Sequence, residues 1–201
     1  RSLLSRIARQ GVSDSMLPYY KSHFFEENGI SFRANRLSYV GELGYELYFD
    51  RTNAKKIFSR IEQEGQDLGL ANAGFHAMNA CRIEKSYKHW GHDIHDSINP
   101  YQSGLGFAVD MEKDEFIGKA ALTGKKGKQS KRLVTIALTS DDAPLLLHDE
   151  PIFCNGKIIG LTTSGAWGFR VNKSLGIASL EHSDGINGQF LASKEFEIEV
   201  A

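Results

Sequence analysis

The sequence is poor in cysteine and proline and has no long apolar run. It contains 2 cysteines and 4 prolines in 201 residues. Cys81 and Cys154 lie far apart without the spacing of metal ligands, which predicts reduced, structural thiols rather than a disulfide framework. No stretch approaches the ~20 apolar residues of a membrane helix, and no charged-then-apolar leader opens the chain. We therefore expect a soluble protein of the cytoplasm or, in a eukaryote, of the mitochondrial matrix.

An excess of charge of one sign is also missing. The chain has 24 Lys and Arg against 25 Asp and Glu, a formal net charge of -1. Proteins that bind nucleic acid need a basic excess to displace phosphate counterions, so this class is disfavoured. With 41% hydrophobic residues, the chain can bury a real core. The expected partner is a small molecule.

The first part of the chain has the pattern of an α+β fold. Residues 31–50 alternate and are rich in aromatic side chains, which predicts two strands joined at Gly41 and Gly44. A helix then follows in AKKIFSRIEQEGQDL with Asn53 as its cap, and a second helix is expected over about 74–87. The positions predicted to be buried are Ile57, Phe58, Ile61 and Leu68 on the first helix and Phe75, Ala77 and Met78 on the second. GLGFAVDM is predicted as a strand and FIGKAAL as a short helix.

The pattern changes after residue 122. The polar and basic stretch 123–132 has the composition of a linker. Short strand-like segments follow, with Asn155 and Gly156 as a hairpin turn: LVTIAL, PIFCNGKIIGLTTSG, SLGIASL and FEIEVA. Short strands at this spacing predict a small barrel or sandwich. The predicted organisation is an α+β part at 1–122, the linker, and an all-β domain at 133–201 that is truncated.

Common cofactor and catalytic motifs are missing. GLG at 104–106 lacks the third glycine and the acidic residue of a dinucleotide fingerprint, and GKKGKQS does not match a phosphate-binding loop. No nucleophile elbow, HExxH or CxxC is present. The loop that carries His89, His92, Asp93, His95 and Asp96 has metal-type ligands, but a glycine-containing loop needs the fold to converge them. We predict a solvated or ligand-adjacent loop there, and no metal.

The segment LSYVGELGYELY, 37–48, concentrates side chains that can hold a small molecule. It has two carboxylates and three phenols around two glycines: Tyr39, Glu42, Tyr45, Glu46 and Tyr48. Glycine permits a sharp backbone and close ligand approach. The same density is also typical of an aromatic edge strand with an ordinary turn, so composition leaves both interpretations open.

Four blocks, taken together, carry a family resemblance. SYVGELGYELYF, NACRIEKSYKHWGHDI, NPYQSGLGFAV and DEFIGKAAL resemble the folate-binding part of the aminomethyltransferase superfamily, which includes glycine cleavage T-protein. The segment EPIFCNGKIIGLTTSGAWG resembles the hairpin of that family's C-terminal barrel. SYVGELGYELY and RIEKSYKHWG look closest to the C-terminal folate domains of dimethylglycine and sarcosine dehydrogenases, since T-protein tends to have GYTGEDG and LRLEAG there. The resemblance implies an aminomethyltransferase-like α+β domain followed by a small antiparallel β-barrel.

The resemblance also implies roles for particular residues. Glu46 matches the glutamate that binds the pterin of tetrahydrofolate, with Glu42 as second choice, and a carboxylate can accept two adjacent N–H groups. Tyr39 matches a folate-contacting tyrosine, with a core tyrosine as the alternative. Arg82 and Glu84 point to different faces of the predicted helix, and an internal salt bridge or a helix-to-sheet tether is as good an interpretation for them as a ligand contact. The remaining implied folate contacts are Leu47, Tyr48, Tyr87, Trp90 and Phe107.

The implied reaction is one-carbon transfer from an aminomethyl or methylated amine to tetrahydrofolate, giving 5,10-methylenetetrahydrofolate. The family's catalytic aspartate belongs to the N-terminal half of the module, so no residue here is predicted to be catalytic. The chain opens on a helix-like segment, RSLLSRIARQ, and stops in an alternating one, EFEIEVA, so we expect an enzyme fragment that is inactive alone.

Three hypotheses stay open at this point. The first is the folate domain of a dimethylglycine or sarcosine dehydrogenase-like protein with an upstream FAD domain. The second is part of a glycine cleavage aminomethyltransferase, which would work with an H-protein-like carrier. The third is a non-catalytic regulatory or scaffold relative. The sequence upstream of Arg1 would separate them.

Overall fold

The computed structural model describes residues 1–140 and 142–200. The chain divides into two compact units, Arg1–Met78 and a second that begins at Asn79. Each unit contains its own sheet, and the first has one buried apolar cluster and the second has two. Within the described residues, no helix is long and apolar enough to cross a membrane.

The first unit packs two helices with a three-stranded antiparallel sheet. The helices are α1, Ser2–Ala8, and α2, Ala54–Gly65. The strands are β1, Ser22–Glu27, β2, Ile30–Asn35, and β3, Glu46–Phe49, in the order β1-β2-β3. Their shared core consists of buried apolar side chains, which include Leu4, Ile7, Leu17, Phe25, Phe32 and Ile57. The helix predicted at the start of the chain and the two strands of 31–50 are confirmed.

Strand β1 was not predicted, and the connection of the two predicted strands is longer than expected. A hairpin joins β1 to β2 through Asn28 and Gly29, both of which have positive φ, at 52° and 71°. Phe25 lies opposite Phe32, and their rings stack with centroids 5.2 Å apart. Residues 36–45 form a loop between β2 and β3, so the glycines at 41 and 44 do not make a tight two-residue turn.

The start and the buried face of α2 differ from the prediction. The side chain of Asp50, not that of Asn53, caps the preceding 3-10 turn, Arg51–Asn53, by accepting from the backbone N–H of Thr52 at 2.8 Å. Ile57 is buried and Ile61 packs against the core, as predicted. Phe58 and Leu68 are 50% and 42% exposed. Phe58 points away because successive helix residues are turned by about 100°.

Helix α3, Phe75–Glu84, confirms the second predicted helix but buries other residues. Phe75 and Ala77 are exposed and Met78 is half-buried, whereas Ala80, Arg82 and Ile83 are buried. The predicted face is therefore wrong, because burial starts one turn later than expected. The next prediction, a strand at 104–111, is also wrong.

A short 3-10 turn, Gly106–Ala108, replaces the strand predicted at 104–111. Gly104 has φ of 76°, which is not a strand conformation. A Cβ on Gly106 would lie 2.8 Å from Cδ1 of Tyr101, so the backbone packs closely on that ring. The short helix predicted at FIGKAAL is confirmed as α4, Lys119–Leu122.

The second unit is organised by a five-stranded antiparallel sheet, in the order β4-β7-β6-β5-β8. The strands are β4, Lys131–Ala137, β5, Pro151–Cys154, β6, Lys157–Gly168, β7, Lys173–Glu181, and β8, Phe196–Ile198. Helix α5, Gly188–Ser193, precedes β8. Asn155 and Gly156, with φ of 51° and 72°, form the predicted hairpin turn between β5 and β6. The strands predicted in this part are confirmed.

Candidate functional site

Glu46 and Tyr48 form a hydrogen-bonded pair on the open face of the first sheet. They lie two residues apart on β3, so both side chains point to the face opposite the core-packed Leu47 and Phe49. The Tyr48 hydroxyl donates to Oε2 of Glu46 at 2.6 Å. This hydrogen bond, together with the negative charge of Glu46, raises the pKa of Tyr48 above its usual value. The phenol therefore remains a proton donor that orients the carboxylate.

Arg33 on β2 extends this polar face. The pairing register places Arg33 opposite Tyr48 on one side and opposite Phe24 of β1 on the other. The Arg33 guanidinium carbon lies 4.8 Å from the Tyr48 ring centroid and 6.0 Å from that of Phe24. A groove of about 420 Å³ lies over this row, lined by Phe24, Ser31, Phe32, Arg33, Tyr48, Phe49 and Asp50.

The loop between β2 and β3 holds the other predicted residues of this segment. Tyr39 is half-buried and Glu42 is exposed. The Ser38 hydroxyl accepts from the backbone N–H of Val40 at 3.2 Å. A Cβ on Gly44 would lie 2.8 Å from Cβ of Ser38, so only glycine allows this close approach. Among the predicted residues of this segment, Glu46 and Tyr48 are in direct contact, and Leu47 packs against the apolar core.

Four of the predicted site residues belong to the second unit. Tyr87 is half-buried, whereas Trp90 and Phe107 are 68% and 87% exposed. Arg82 is almost fully buried, with 3% of its side chain exposed. Its partners are Asn79 Oδ1 at 2.7 Å, the Tyr87 carbonyl at 2.9 Å, Asp93 Oδ2 at 2.5 Å and Ser164 Oγ at 2.8 Å.

These contacts make Arg82 a tether between α3 and β6. Its ion pair is with Asp93 and not with Glu84, which instead accepts from the backbone N–H groups of Arg170 and Val171. The structure therefore contains the helix-to-sheet tether, which was one of the interpretations of Arg82. A contact of Arg82 with folate stays a prediction.

Asp93 is the central acceptor of this buried network. It also accepts from Thr163 at 2.5 Å, from Ser164 at 2.7 Å and from the backbone N–H of His89 at 2.8 Å. Burial acts to raise the pKa of Asp93, but these hydrogen bonds and the charge of Arg82 outweigh it and leave the pKa below its usual value. Asp93 therefore remains ionised opposite Arg82.

The histidine-containing loop borders a cavity of the second unit. Gly91, His92, Asp93 and His95 contribute to its lining, and the cavity has a volume of about 850 Å³. The lining also includes Lys131, His148, Glu181 and residues of β6. In residues 1–140 and 142–200, no three His, Cys, Asp or Glu side chains are grouped so that they could hold a metal ion. The ligand-adjacent interpretation of this loop stays a prediction.

Sequence reasoning missed Arg33 and the role of Asp93. Arg33 meets Tyr48 only through the strand register, which requires knowing the length of the loop between β2 and β3. Asp93 was noted only as a metal-type ligand. The available signal was Arg82, which lies eleven residues earlier on a predicted helix: a buried arginine needs a counter-charge, and Asp93 supplies it.

Family models match most of the chain. The model described as the GCVT N-terminal domain matches residues 1–113, and the glycine cleavage T-protein C-terminal barrel domain matches residues 131–201. A solved structure of the glycine cleavage system aminomethyltransferase T from Bartonella henselae aligns with 99% of this chain and 52% of that one. Its TM-score is 0.79 at 19% identity, which shows the fold. The predicted α+β fold with a small C-terminal antiparallel barrel is confirmed.

Curated relatives give the same family at higher identity. The chain is 40% identical over 193 residues to 4-methylaminobutanoate oxidase (formaldehyde-forming) of Paenarthrobacter nicotinovorans, covering 94% of the chain and 23% of the relative. It is 37% identical to human mitochondrial dimethylglycine dehydrogenase, covering 89% and 21%. An aminomethyltransferase of Halothermothrix orenii is 32% identical, covering 94% and 52%. The chain thus spans about a fifth to a half of the length of these relatives, and it belongs to the aminomethyltransferase superfamily that includes glycine cleavage T-protein.

Proposed function

We propose that this chain is the tetrahydrofolate-binding part of a one-carbon transfer enzyme that resembles the dimethylglycine and sarcosine dehydrogenases. The observation that carries the proposal is the Glu46–Tyr48 pair on the open face of the first sheet. Two of the relatives act, by their names, on 4-methylaminobutanoate and dimethylglycine, which are small methylated amines. Membership of the superfamily supports a folate ligand.

The chemistry of Glu46 suits the aminopyrimidine edge of the pterin. That edge presents adjacent N–H groups, which a carboxylate accepts in pairs. Tyr48 already donates to Oε2, and among the described residues no group donates to Oε1. Tyr48 therefore orients the carboxylate, and Oε1 is available to a ligand. Glu42, exposed in the loop, is the second choice for this role.

The other predicted residues would contact the rest of the ligand or support those that do. Tyr39 would pack on the pterin ring and hydrogen-bond its edge. In the second unit, Tyr87 and Trp90 remain predicted contacts of the p-aminobenzoyl region, and Phe107 remains a predicted stacking residue; the rings of Trp90 and Phe107 are exposed. Leu47, whose side chain packs against the core, would support the position of Glu46. Arg82 would hold Tyr87 in place by donating to its backbone carbonyl.

Positioning is the contribution of these residues to catalysis. Holding two reactants in a productive geometry removes a large entropic part of the barrier. Tetrahydrofolate, when bound, supplies the nitrogen atoms that accept the one-carbon unit. In this proposal no residue of the chain is a catalytic acid, and an FAD domain elsewhere in the parent protein oxidises the amine.

Calorimetric titration with tetrahydrofolate tests the proposal. We expect Glu46→Gln to weaken binding about tenfold or more, because it removes a charge-assisted hydrogen bond. Glu62→Gln is the matched control, since Glu62 is exposed on α2, away from the polar face. Glu42→Gln shows whether the second glutamate takes part. Equal affinities for the wild-type protein and Glu46→Gln would remove Glu46 as the pterin partner, and no binding by folded wild-type protein would refute the function.

A glycine cleavage aminomethyltransferase is the second candidate. The 32% identity to the Halothermothrix orenii enzyme, of which the chain spans 52%, favours it. The two candidates differ in the donor of the one-carbon unit, which is a free methylated amine in the first and an aminomethyl group on an H-protein-like carrier in the second. Binding of such a carrier to the parent protein would favour the second candidate.

A further inference from the structure

The basic stretch 123–132 is fastened to the segment that follows β7. Five of its ten residues are Lys or Arg, and none is Asp or Glu. The backbone N–H of His182 donates to the Ser130 carbonyl at 2.8 Å, and that of Ile186 donates to the Gln129 carbonyl at 2.9 Å. These two hydrogen bonds hold the end of the stretch in a defined position, so its positive charges are held in place as well.

A small pocket lies where these two segments meet. Its volume is about 370 Å³, which is in the range of pockets that hold small ligands. Four of the residues that line it carry side-chain N–H or O–H donors, and these are Lys128, Ser130, Arg132 and Asn187. The lining also includes the carboxylate of Asp184. The pocket is therefore rich in donors and carries more positive than negative charge.

Arg132 has hydrogen-bonding capacity that the protein leaves unused. Its side chain belongs to a half-buried residue of β4, carries five N–H donors and is always charged. Within residues 1–140 and 142–200, this side chain takes part in no hydrogen bond or ion pair. Arg82 in the same unit differs, because protein acceptors occupy its guanidinium. The Arg132 guanidinium is thus available to a ligand in the pocket.

The other donors of the pocket are available in the same way. In the part of the chain that the structure describes, neither the Lys128 ammonium nor the Ser130 hydroxyl forms a hydrogen bond. Asn187 accepts from the backbone N–H of Phe190 through Oδ1 at 2.9 Å, which leaves its amide N–H groups for another acceptor. The pocket can therefore offer two positive charges, a hydroxyl and an amide to a single ligand.

These donors fit an anion with several acceptor oxygens. A guanidinium binds two oxygens of a phosphate through parallel N–H groups, and a lysine adds a second positive charge. The remaining oxygens of a phosphate can accept from the hydroxyl and amide donors. Asp184 opposes an anion, but its side chain is 80% exposed, so solvent and salt screen its charge. The balance of charge favours a phosphate group.

We propose that the pocket between 127–132 and 183–187 binds the phosphate group of a small molecule, with Arg132 and Lys128 as its charged partners. All residues of this site belong to the second unit. The site uses none of the residues assigned to tetrahydrofolate, so the inference goes beyond the proposed function.

Titration with inorganic phosphate tests this assignment. The ionic strength is kept constant with sodium chloride, so that general screening does not change, and binding is followed by amide chemical shifts of the protein. We expect saturable shifts around the pocket. Arg132→Met should weaken phosphate binding about tenfold or more, because it removes charge-assisted hydrogen bonds. Arg132→Lys keeps the charge without the planar fork and should have intermediate affinity.

Three further variants separate a defined site from general attraction to a basic surface. Lys128→Met changes an exposed residue that lines the pocket and should also weaken phosphate binding. Lys126→Met is the matched control, since Lys126 is exposed in the same stretch but does not line the pocket. Asp184→Asn removes the negative charge of the lining and should strengthen binding. Tryptophan fluorescence during urea unfolding verifies that each variant is folded.

The outcomes decide between a phosphate site and its alternatives. Shifts of the wild-type protein that do not saturate, or equal phosphate affinities of the wild-type protein and Arg132→Met, would overturn the inference. A loss in Lys126→Met as large as that in Arg132→Met would overturn it too, because the attraction would then be general. Acetate that binds as tightly as phosphate would overturn the assignment to a phosphate group. Glu46-dependent binding of tetrahydrofolate is measured separately, so failure of this inference leaves the proposed function standing.

Discussion

Replacing Asp93 with Asn tests how strongly the Arg82–Asp93 ion pair stabilises the second unit. The two side chains are 3% and 0% exposed, so water does not compensate either charge in the folded protein. Asparagine keeps the size of the aspartate but leaves the Arg82 guanidinium buried without a counter-charge. Removal of one partner from such a pair costs about 3–5 kcal/mol. We expect the free energy of unfolding of the second unit to fall by this amount.

Tryptophan fluorescence during urea unfolding measures this change selectively. The protein has 2 tryptophans, Trp90 and Trp167, and both lie in the second unit. The matched control is Asp96→Asn, because the Asp96 side chain is 98% exposed and only three residues away. Exposed substitutions of this kind change stability by no more than about 0.5 kcal/mol.

A double-mutant cycle separates the ion pair from general damage to the fold. Arg82→Met alone leaves the Asp93 carboxylate buried and unpaired, so it should also cost about 3–5 kcal/mol. The double variant should lose clearly less than the two single losses together, because neither charge is then left alone. Additive losses, or a loss below about 1 kcal/mol for Asp93→Asn, would refute the reasoning.

Three further predictions follow from the geometry. The pKa of Asp93 is depressed in the folded protein. The contribution of ionised Asp93 to the free energy of unfolding is therefore complete above the unfolded-state pKa of 3.8 and is lost as the pH falls through the folded-state pKa. Acid titration followed by tryptophan fluorescence should reveal this loss in the wild-type protein and not in Asp93→Asn. Asp50→Ala should lower the urea midpoint followed by circular dichroism and Asn53→Ala should lower it much less, because the Asp50 side chain caps the turn before α2 and Asn53 makes no side-chain capping hydrogen bond. Gly44→Ala should weaken tetrahydrofolate binding through the clash with Ser38, whereas Gly11→Ala, which has open space around it, should not.

Elements with a strong local pattern could be predicted from the sequence. The hairpin at Asn155 and Gly156 was predicted because these residue types accept the positive φ that a two-residue turn demands. Strand β1 was missed because its segment, SHFFEE, buries only Phe25 and exposes Phe24, so the alternation is weak. The strand predicted at 104–111 failed for a related reason: apolar residues alternate there, but Gly104 and Gly106 turn the backbone.

The candidate site was only partly accessible to the same reasoning. Glu46 and Tyr48 are two residues apart on a strand, so a shared face follows from the sequence once the strand is assigned. Their hydrogen bond and the position of Arg33 beside Tyr48 do not follow, because a pairing partner depends on the register of a strand beyond a ten-residue loop. For Arg82, the local pattern indicated a salt bridge or a tether without naming its partner, which the fold supplies as Asp93.

By itself, the sequence determined the family, the α+β organisation with a small barrel, and the segment that carries Glu46 and Tyr48. These depend on residue types and spacings within short stretches of chain, where backbone geometry sets which side chains share a face. Only the tertiary structure decided which charges are paired. It left Arg33 without an acceptor among the described residues and buried Arg82 against Asp93 and Ser164, because strand register and burial bring together groups that are distant along the chain.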